Sequence, residues 1–158
     1  MKLLRKFLRL PTAERRLLIE TALLLEAIKL SMRLLPFRTL RRLLVRVTDA
    51  APAKPQHTDH LPVKRVAWAV AATSRHTPGV KTCLTQALAT QVLLARRGHP
   101  ALLRIGVAKG EQEQFQAHAW VESEGKVVIG GSEPGRYTPL AGLEEFTEPQ
   151  DPDTLIEA

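Results

Sequence analysis

The stretch that decides the fold is Thr82-Cys83-Leu84-Thr85-Gln86-Ala87-Leu88-Ala89-Thr90-Gln91-Val92-Leu93-Leu94-Ala95-Arg96-Arg97-Gly98. It reads as a helix over Cys83–Arg97, with Thr82 as the N-cap and Gly98 just past the end. Working outward from it, Leu102–Ala108 has the pattern of a strand, and Lys109–Gln114 that of a polar loop. Phe115–Ser123 and Lys126–Gly130 are two further strands, with Glu124-Gly125 as the two-residue turn of a hairpin. On the N-terminal side Val63–Arg75 fits a helix carrying Trp68, which its size assigns to the core. His76-Thr77-Pro78-Gly79 then supplies a turn. A helix followed by an antiparallel sheet gives an α+β reading.

Further upstream, Leu17, Leu18, Leu24, Leu25, Ile28, Met32 and Leu35 recur at helical spacing and mark one face. Thr12 is placed to cap that helix, Glu14 lies in its first turn, and Pro36 ends or kinks it. Phe37–Val47 reads as a second, strongly basic helix with Arg38, Arg41, Arg42 and Arg46. The two make a helical hairpin whose apolar face must meet the rest of the chain, a partner protein or a membrane surface. Residues 1–48 are accordingly taken as a basic amphipathic segment, 49–62 as a proline-rich linker, 63–146 as the main domain and 147–158 as an acidic tail. His57 and His60 in the linker have an H-x-x-H spacing. A proline-rich linker does not hold ligands rigidly, so the pair reads as solvated and no metal is expected there.

Composition narrows the functional classes. The chain has 158 residues, 44% hydrophobic and 25% charged, which suits a globular domain. One cysteine excludes an intramolecular disulfide or a multi-cysteine metal site, and points to the reducing cytosol. The net charge of +7 conceals an uneven distribution. Residues 1–50 carry 12 Lys/Arg against 4 Asp/Glu, residues 51–110 carry 9 against 1, and residues 111–158 carry 2 against 11. A basic N-terminal half suits an acidic partner or a membrane surface. Nucleic acid ranks last, because the acidic C-terminal block repels phosphate and aromatic residues are only 4%. Glu20, Glu26, Lys29 and Arg33 interrupt the longest apolar stretch, so no membrane-spanning helix is expected.

The candidate chemistry centres on Cys83. A cysteine in the first turn of a helix meets unpaired N–H groups and the positive end of the dipole, which stabilise a thiolate. Its own N–H is placed to stabilise an oxyanion. His118 lies 35 residues on, in the strand Gln116–Glu122, where it could take the thiol proton and return it to a leaving amine. A third group should orient the imidazole. With the Glu124-Gly125 turn in regular register, Gly131 falls opposite His118 with Gly130 beside it, and neither has a side chain. Glu122 shares the face but sits about 13 Å along the strand. Glu133, just past the pairing position, and a main-chain carbonyl are the remaining candidates. Trp120 shares His118's face and is a candidate wall of the cleft, with core packing as its alternative. Gln86, one turn after Cys83, is a candidate substrate contact. Lys81 could assist the thiolate electrostatically.

The run Lys81-Thr82-Cys83-Leu84-Thr85-Gln86-Ala87-Leu88-Ala89 and then Leu93-Leu94-Ala95-Arg96-Arg97-Gly98 resembles the leader peptidases of lasso-peptide biosynthesis. So does Ala117-His118-Ala119-Trp120-Val121-Glu122 leading to Gly125-Lys126-Val127-Val128-Ile129-Gly130-Gly131. Those enzymes belong to the transglutaminase-like, papain-related cysteine proteases. The similarity is close over roughly residues 62–142, and the basic segment before it resembles the N-terminal region of longer members. The resemblance implies a transglutaminase-like domain with its nucleophile helix packed on an antiparallel sheet, behind the helical hairpin. It implies a cysteine peptidase that removes the leader of a ribosomally made precursor, so that a separate ATP-dependent synthetase can close the macrolactam. It also implies a small leader-binding protein as partner, the synthetase as a further one, and no cofactor. Cys83 carries over as nucleophile and His118 as general base and acid. The family's third member, an aspartate, falls at Gly130, where this chain departs from the pattern. The competing readings are a non-catalytic scaffold that binds precursor or partner, and an acyltransferase on the same Cys/His layout. Deletion of residues 1–50 is expected to weaken assembly before it destroys the thiol chemistry.

Overall fold

The computed structural model describes residues 7–49, 61–77, 82–109, 114–131 and 136–140. Helix α1 spans Thr12–Leu34, α2 Phe37–Asp49, α3 Val63–His76 and α4 Cys83–Ala95. Strands β1 (Leu102–Lys109), β2 (Phe115–Ser123), β3 (Lys126–Ile129) and β4 (Thr138–Pro139) form one sheet in the order β3-β2-β1-β4. All neighbouring strands run antiparallel. The fold is therefore α+β.

Helix α4 is the centre of the molecule. No charged residue interrupts Cys83–Ala95, and Thr85, Ala87, Leu88, Ala89, Thr90, Val92, Leu93 and Leu94 are all buried. A helix apolar all round must be covered all round. The sheet covers one side of α4, while α1, α2 and α3 pack on the others. Thr82 caps its start, accepting the Thr85 N–H at 3.4 Å. At its other end the chain continues one more turn to Gly98, whose φ of +75° is the left-handed conformation glycine adopts without strain. There the His99 N–H reaches the Leu94 carbonyl and the Gly98 N–H the Ala95 carbonyl, which satisfies two terminal acceptors.

The N-terminal helices meet the rest of the chain. Leu25, Ile28 and Leu40 share one core with Val66, Val70, Leu88, Leu93, Leu94 and Val121. Glu20 of α1 binds Arg97 at 2.7 Å and Arg96 at 3.3 Å, and Glu14 pairs with Arg65 of α3. Arg97 is almost wholly buried, so its pair with Glu20 pins α1 to the end of α4. Met32 touches the start of α4, where the Thr85 hydroxyl lies 3.6 Å from its sulfur. A chain lacking residues 1–50 would lose this cover from α4.

Two local expectations, on Thr12 and Trp68, are corrected, and one strand is added. Thr12 does not cap α1: Pro11 precedes the helix, and the Thr12 hydroxyl instead accepts from Arg15 at 3.3 Å. The expected face of α1 is the one that packs inward: Leu17, Leu25 and Ile28 are buried with Glu14 and Thr21 beside them, Leu24 packs on the core, and Met32 lies at the exposed edge. Trp68 is 37% exposed, with the Arg65 guanidinium 5.3 Å over its ring. Val66, Ala69, Val70 and Ser74 already fill the inner face of α3, and Trp68 points the other way. Strand β4 was not anticipated; it pairs Pro139 with Gly106 and Thr138 with Val107. Pro36 does end α1, with Leu35 extended as a residue before proline tends to be, and the Pro36 carbonyl accepts the Thr39 and Leu40 N–H groups of α2.

Candidate active site

The candidate residues lie on α4 and on β2, the strand against which α4 packs. Cys83 is the first residue of α4 and is half-buried, packed against the core yet reachable by solvent. Thr85 and Gln86 are the first residues whose N–H groups are taken up, by the Thr82 side chain and carbonyl respectively. The Cys83 N–H thus precedes the helical ladder and is one of the groups a helix leaves for an external acceptor. Gln86 follows one turn later, half-buried, and its carbonyl accepts the Thr90 hydroxyl.

His118 lies near the middle of β2, opposite Gly106 of β1, and is also half-buried. Its Nε2 is hydrogen-bonded to the Gly130 carbonyl. A carbonyl only accepts, so Nε2 carries the proton and a neutral ring keeps Nδ1 as an acceptor.

The register that delivers this carbonyl differs from the regular one. The Glu124-Gly125 turn forms as expected, with φ of +52° and +73°, and pairs Ser123 with Lys126 and Glu122 with Val127. A bulge then pairs Val121 with Ile129, so one extra residue is taken up on β3. Counting on from that pair, Gly130 falls beside Trp120 and Gly131 beside Ala119, not opposite His118.

Gly130 has φ of +81°, and a Cβ there would stand 2.5 Å from the Ala119 carbonyl oxygen and 3.0 Å from Trp120 Cα. The position at which the resemblance places an aspartate therefore has no room for any side chain. Its main chain makes the contact to the imidazole instead.

Two aromatic rings lie nearly parallel to the imidazole. Tyr137 has its centroid at 4.9 Å and an interplanar angle of 28°; Trp120 lies at 6.3 Å and 19°. Trp120 is 6% exposed. Its ring lies across Gly106, where a Cβ would come within 3.0 Å of Cη2 and Cζ3, and its Nε1 donates to Glu122 at 2.8 Å. It is a buried support beneath the histidine, and the surface it offers to a ligand is small. Glu122 also accepts from Arg104 at 3.4 Å, so this carboxylate is committed on its own side of the strand.

Sequence reasoning missed Tyr137 and Gly106. An isolated glycine inside a strand marks a close approach, and that signal was present at Gly106. Tyr137 precedes a strand of only two residues, too short to leave a pattern. Glu133, Lys81, His57 and His60 lie outside the described residues.

The first-turn cysteine, the strand histidine and the helix-on-sheet layout can be set against known families. A model of the transglutaminase-like superfamily matches residues 22–142. The chain belongs to the transglutaminase-like superfamily. The match begins within α1, so the superfamily domain takes in the N-terminal helices as well as the sheet. Neither a curated protein nor a solved structure matches the chain significantly. Transglutaminase-like domains commonly carry cysteine protease or acyltransferase activity.

Proposed function

We propose that this transglutaminase-like protein is a cysteine peptidase acting on the leader of a ribosomally made lasso-peptide precursor. The observation that carries the catalytic part is the Nε2–H to Gly130 carbonyl bond. It leaves Nδ1 as the basic atom of a half-buried ring on the strand that packs against the nucleophile helix. His118 Nδ1 takes the Cys83 proton, and the thiolate attacks the scissile carbonyl. The Cys83 N–H is the chain's own donor for the oxyanion. The imidazolium then protonates the leaving amine. Water, deprotonated by the same ring, releases the leader with a free carboxylate and regenerates the thiol.

The choice of substrate rests on the paired sequence blocks around Cys83 and His118. A leader-binding protein would deliver the precursor, a synthetase would use the exposed amine, and the reaction would run in the cytosol. No metal or cofactor enters any step. Gln86 is the first residue of α4 beyond Cys83 able to offer an amide to the substrate backbone. The carbonyl on His118 weakens the case for a non-catalytic scaffold, whose main support is the missing side chain at Gly130.

Cys83 is the sole cysteine, so alkylation reports on it alone. Iodoacetamide is expected to label it, with full loss of leader cleavage, while a chelator leaves cleavage intact. Cleavage by the fully alkylated protein would overturn the proposal. A precursor fragment ending in an amide formed with an added amine, rather than a carboxylate, would identify an acyltransferase.

A further inference from the structure

Helix α1 has two apolar faces, and the fold uses one. The inner face carries Leu17, Leu25 and Ile28 into the core. At 100° per residue, Ile19, Leu23, Ala27, Leu30 and Leu34 fall together on the opposite side. All five stand exposed, the large ones strongly so: Ile19 at 53%, Leu23 at 68%, Leu30 at 58% and Leu34 at 71%. A helix with one face in a core ordinarily turns polar residues outward, so this aliphatic ridge, about 22 Å long from Ile19 to Leu34, requires an explanation.

The unpaired charge around the ridge is basic, since the two carboxylates that flank it, Glu20 and Glu26, are each paired with a basic side chain. Arg16 lies in line with it, and Arg9 and Arg33 are exposed near its two ends. Arg38, Arg42 and Arg46 follow on the exposed side of α2, which starts two residues after α1 finishes, while Leu40 and Leu44 turn inward. Among the described residues no carboxylate falls on the ridge, and the neighbouring Glu26 is paired with Lys29 at 3.2 Å. The sequence ahead, Met1-Lys2-Leu3-Leu4-Arg5-Lys6, repeats the same mixture. Among the described residues no helix is long and apolar enough to cross a membrane.

We infer that this face docks on an anionic lipid surface, with Ile19, Leu23, Leu30 and Leu34 in the headgroup–acyl boundary and the arginines on the phosphates. Charge complementarity selects this occupant. Two copies face to face would bring arginine against arginine with no carboxylate on the ridge to relieve it. An acidic protein partner would leave a ridge without aromatic anchors, the residues that dominate protein interfaces. A bilayer offers both requirements at once, an apolar interior and an anionic rim. The inference does not depend on the Cys83 and His118 reading, and it places this domain at the membrane without a spanning segment.

The test is co-sedimentation of the full chain with phosphatidylcholine vesicles containing about 30% phosphatidylglycerol, and with phosphatidylcholine alone. Binding is expected to the anionic vesicles only and to weaken as salt is raised. The pair Leu23→Gln and Leu30→Gln should lower it on the order of tenfold or more, because two exposed leucines lose their apolar burial. The Cys83 alkylation rate should stay unchanged in that variant, which shows that the fold is intact. Undiminished binding by the double variant would overturn the inference, as would equal binding to neutral vesicles. So would failure to bind with a dimer in solution that the double variant dissociates, which would make the ridge a self-interface.

Discussion

The Nε2 of His118 is hydrogen-bonded to the main-chain carbonyl of Gly130. The imidazole is thereby oriented by a backbone atom, at the position to which the resemblance to lasso-peptide leader peptidases assigns an aspartate. The carbonyl fixes the tautomer and aims the ring without adding a charge. Its position depends on the bulge in β3 and on the left-handed backbone at Gly130.

Restoring the aspartate should therefore fail. Gly130→Asp would add a Cβ 2.5 Å from the Ala119 oxygen at a φ of +81°. The backbone conformation alone costs about 1–3 kcal/mol for a residue with a side chain. We expect a lower melting temperature and at least tenfold slower leader cleavage for both Gly130→Asp and Gly130→Ala. Faster cleavage by Gly130→Asp would show that the carbonyl is a poor substitute and the loop adaptable.

Tyr137 should act as a positioning residue through its ring alone. Tyr137→Phe keeps the stack on His118 and is expected to stay within about twofold of the parent, whereas Tyr137→Ala should lower kcat about tenfold with little change in KM. A matching loss in Tyr137→Phe would assign the role to the hydroxyl.

Glu20 and Arg97 form a part-buried pair, and removing one charge strands the other. Arg97 has 5% of its side chain exposed and also donates to the Leu93 carbonyl at 3.0 Å. Glu20→Ala is expected to cost about 3 kcal/mol in urea unfolding, because the guanidinium stays buried. Glu26→Ala, which breaks only an exposed pair with Lys29, should cost less than about 0.5 kcal/mol.

The N-terminal helices should be inseparable from the site. Leu25→Ala removes a fully buried side chain, and should destabilise the whole chain by about 2–5 kcal/mol. Deletion of residues 1–50 should give a chain without a cooperative unfolding transition. A truncated protein that melts cooperatively and retains its alkylation rate would contradict this.

Much of the fold was legible because local chemistry and global position agree. Thr82 and Gly98 bracket α4, and Glu124-Gly125 closes the hairpin, since each residue meets a backbone demand of its own. The periodicity of α3 also held the answer for Trp68, which lies off the Val66–Val70 face despite its size. The inner face of α1 was legible from its spacing even though that helix has leucines on both sides, for Leu17, Leu25 and Ile28 are the ones buried and Leu24 packs on the core. The bulge at Val121 and the pairing of Thr138–Pro139 arise from sheet geometry, and no residue type announces them. A main-chain carbonyl was among the candidates to orient His118, but every residue has one, so no side-chain motif can mark the one in use.

The central claim is tested most directly by incubating a lasso-peptide precursor and its leader-binding protein with the parent chain, Cys83→Ala or His118→Ala, and reading the products by mass spectrometry. A leader fragment with a free C-terminal carboxylate is expected from the parent and none from either variant. An equal amount of that fragment from Cys83→Ala would contradict it.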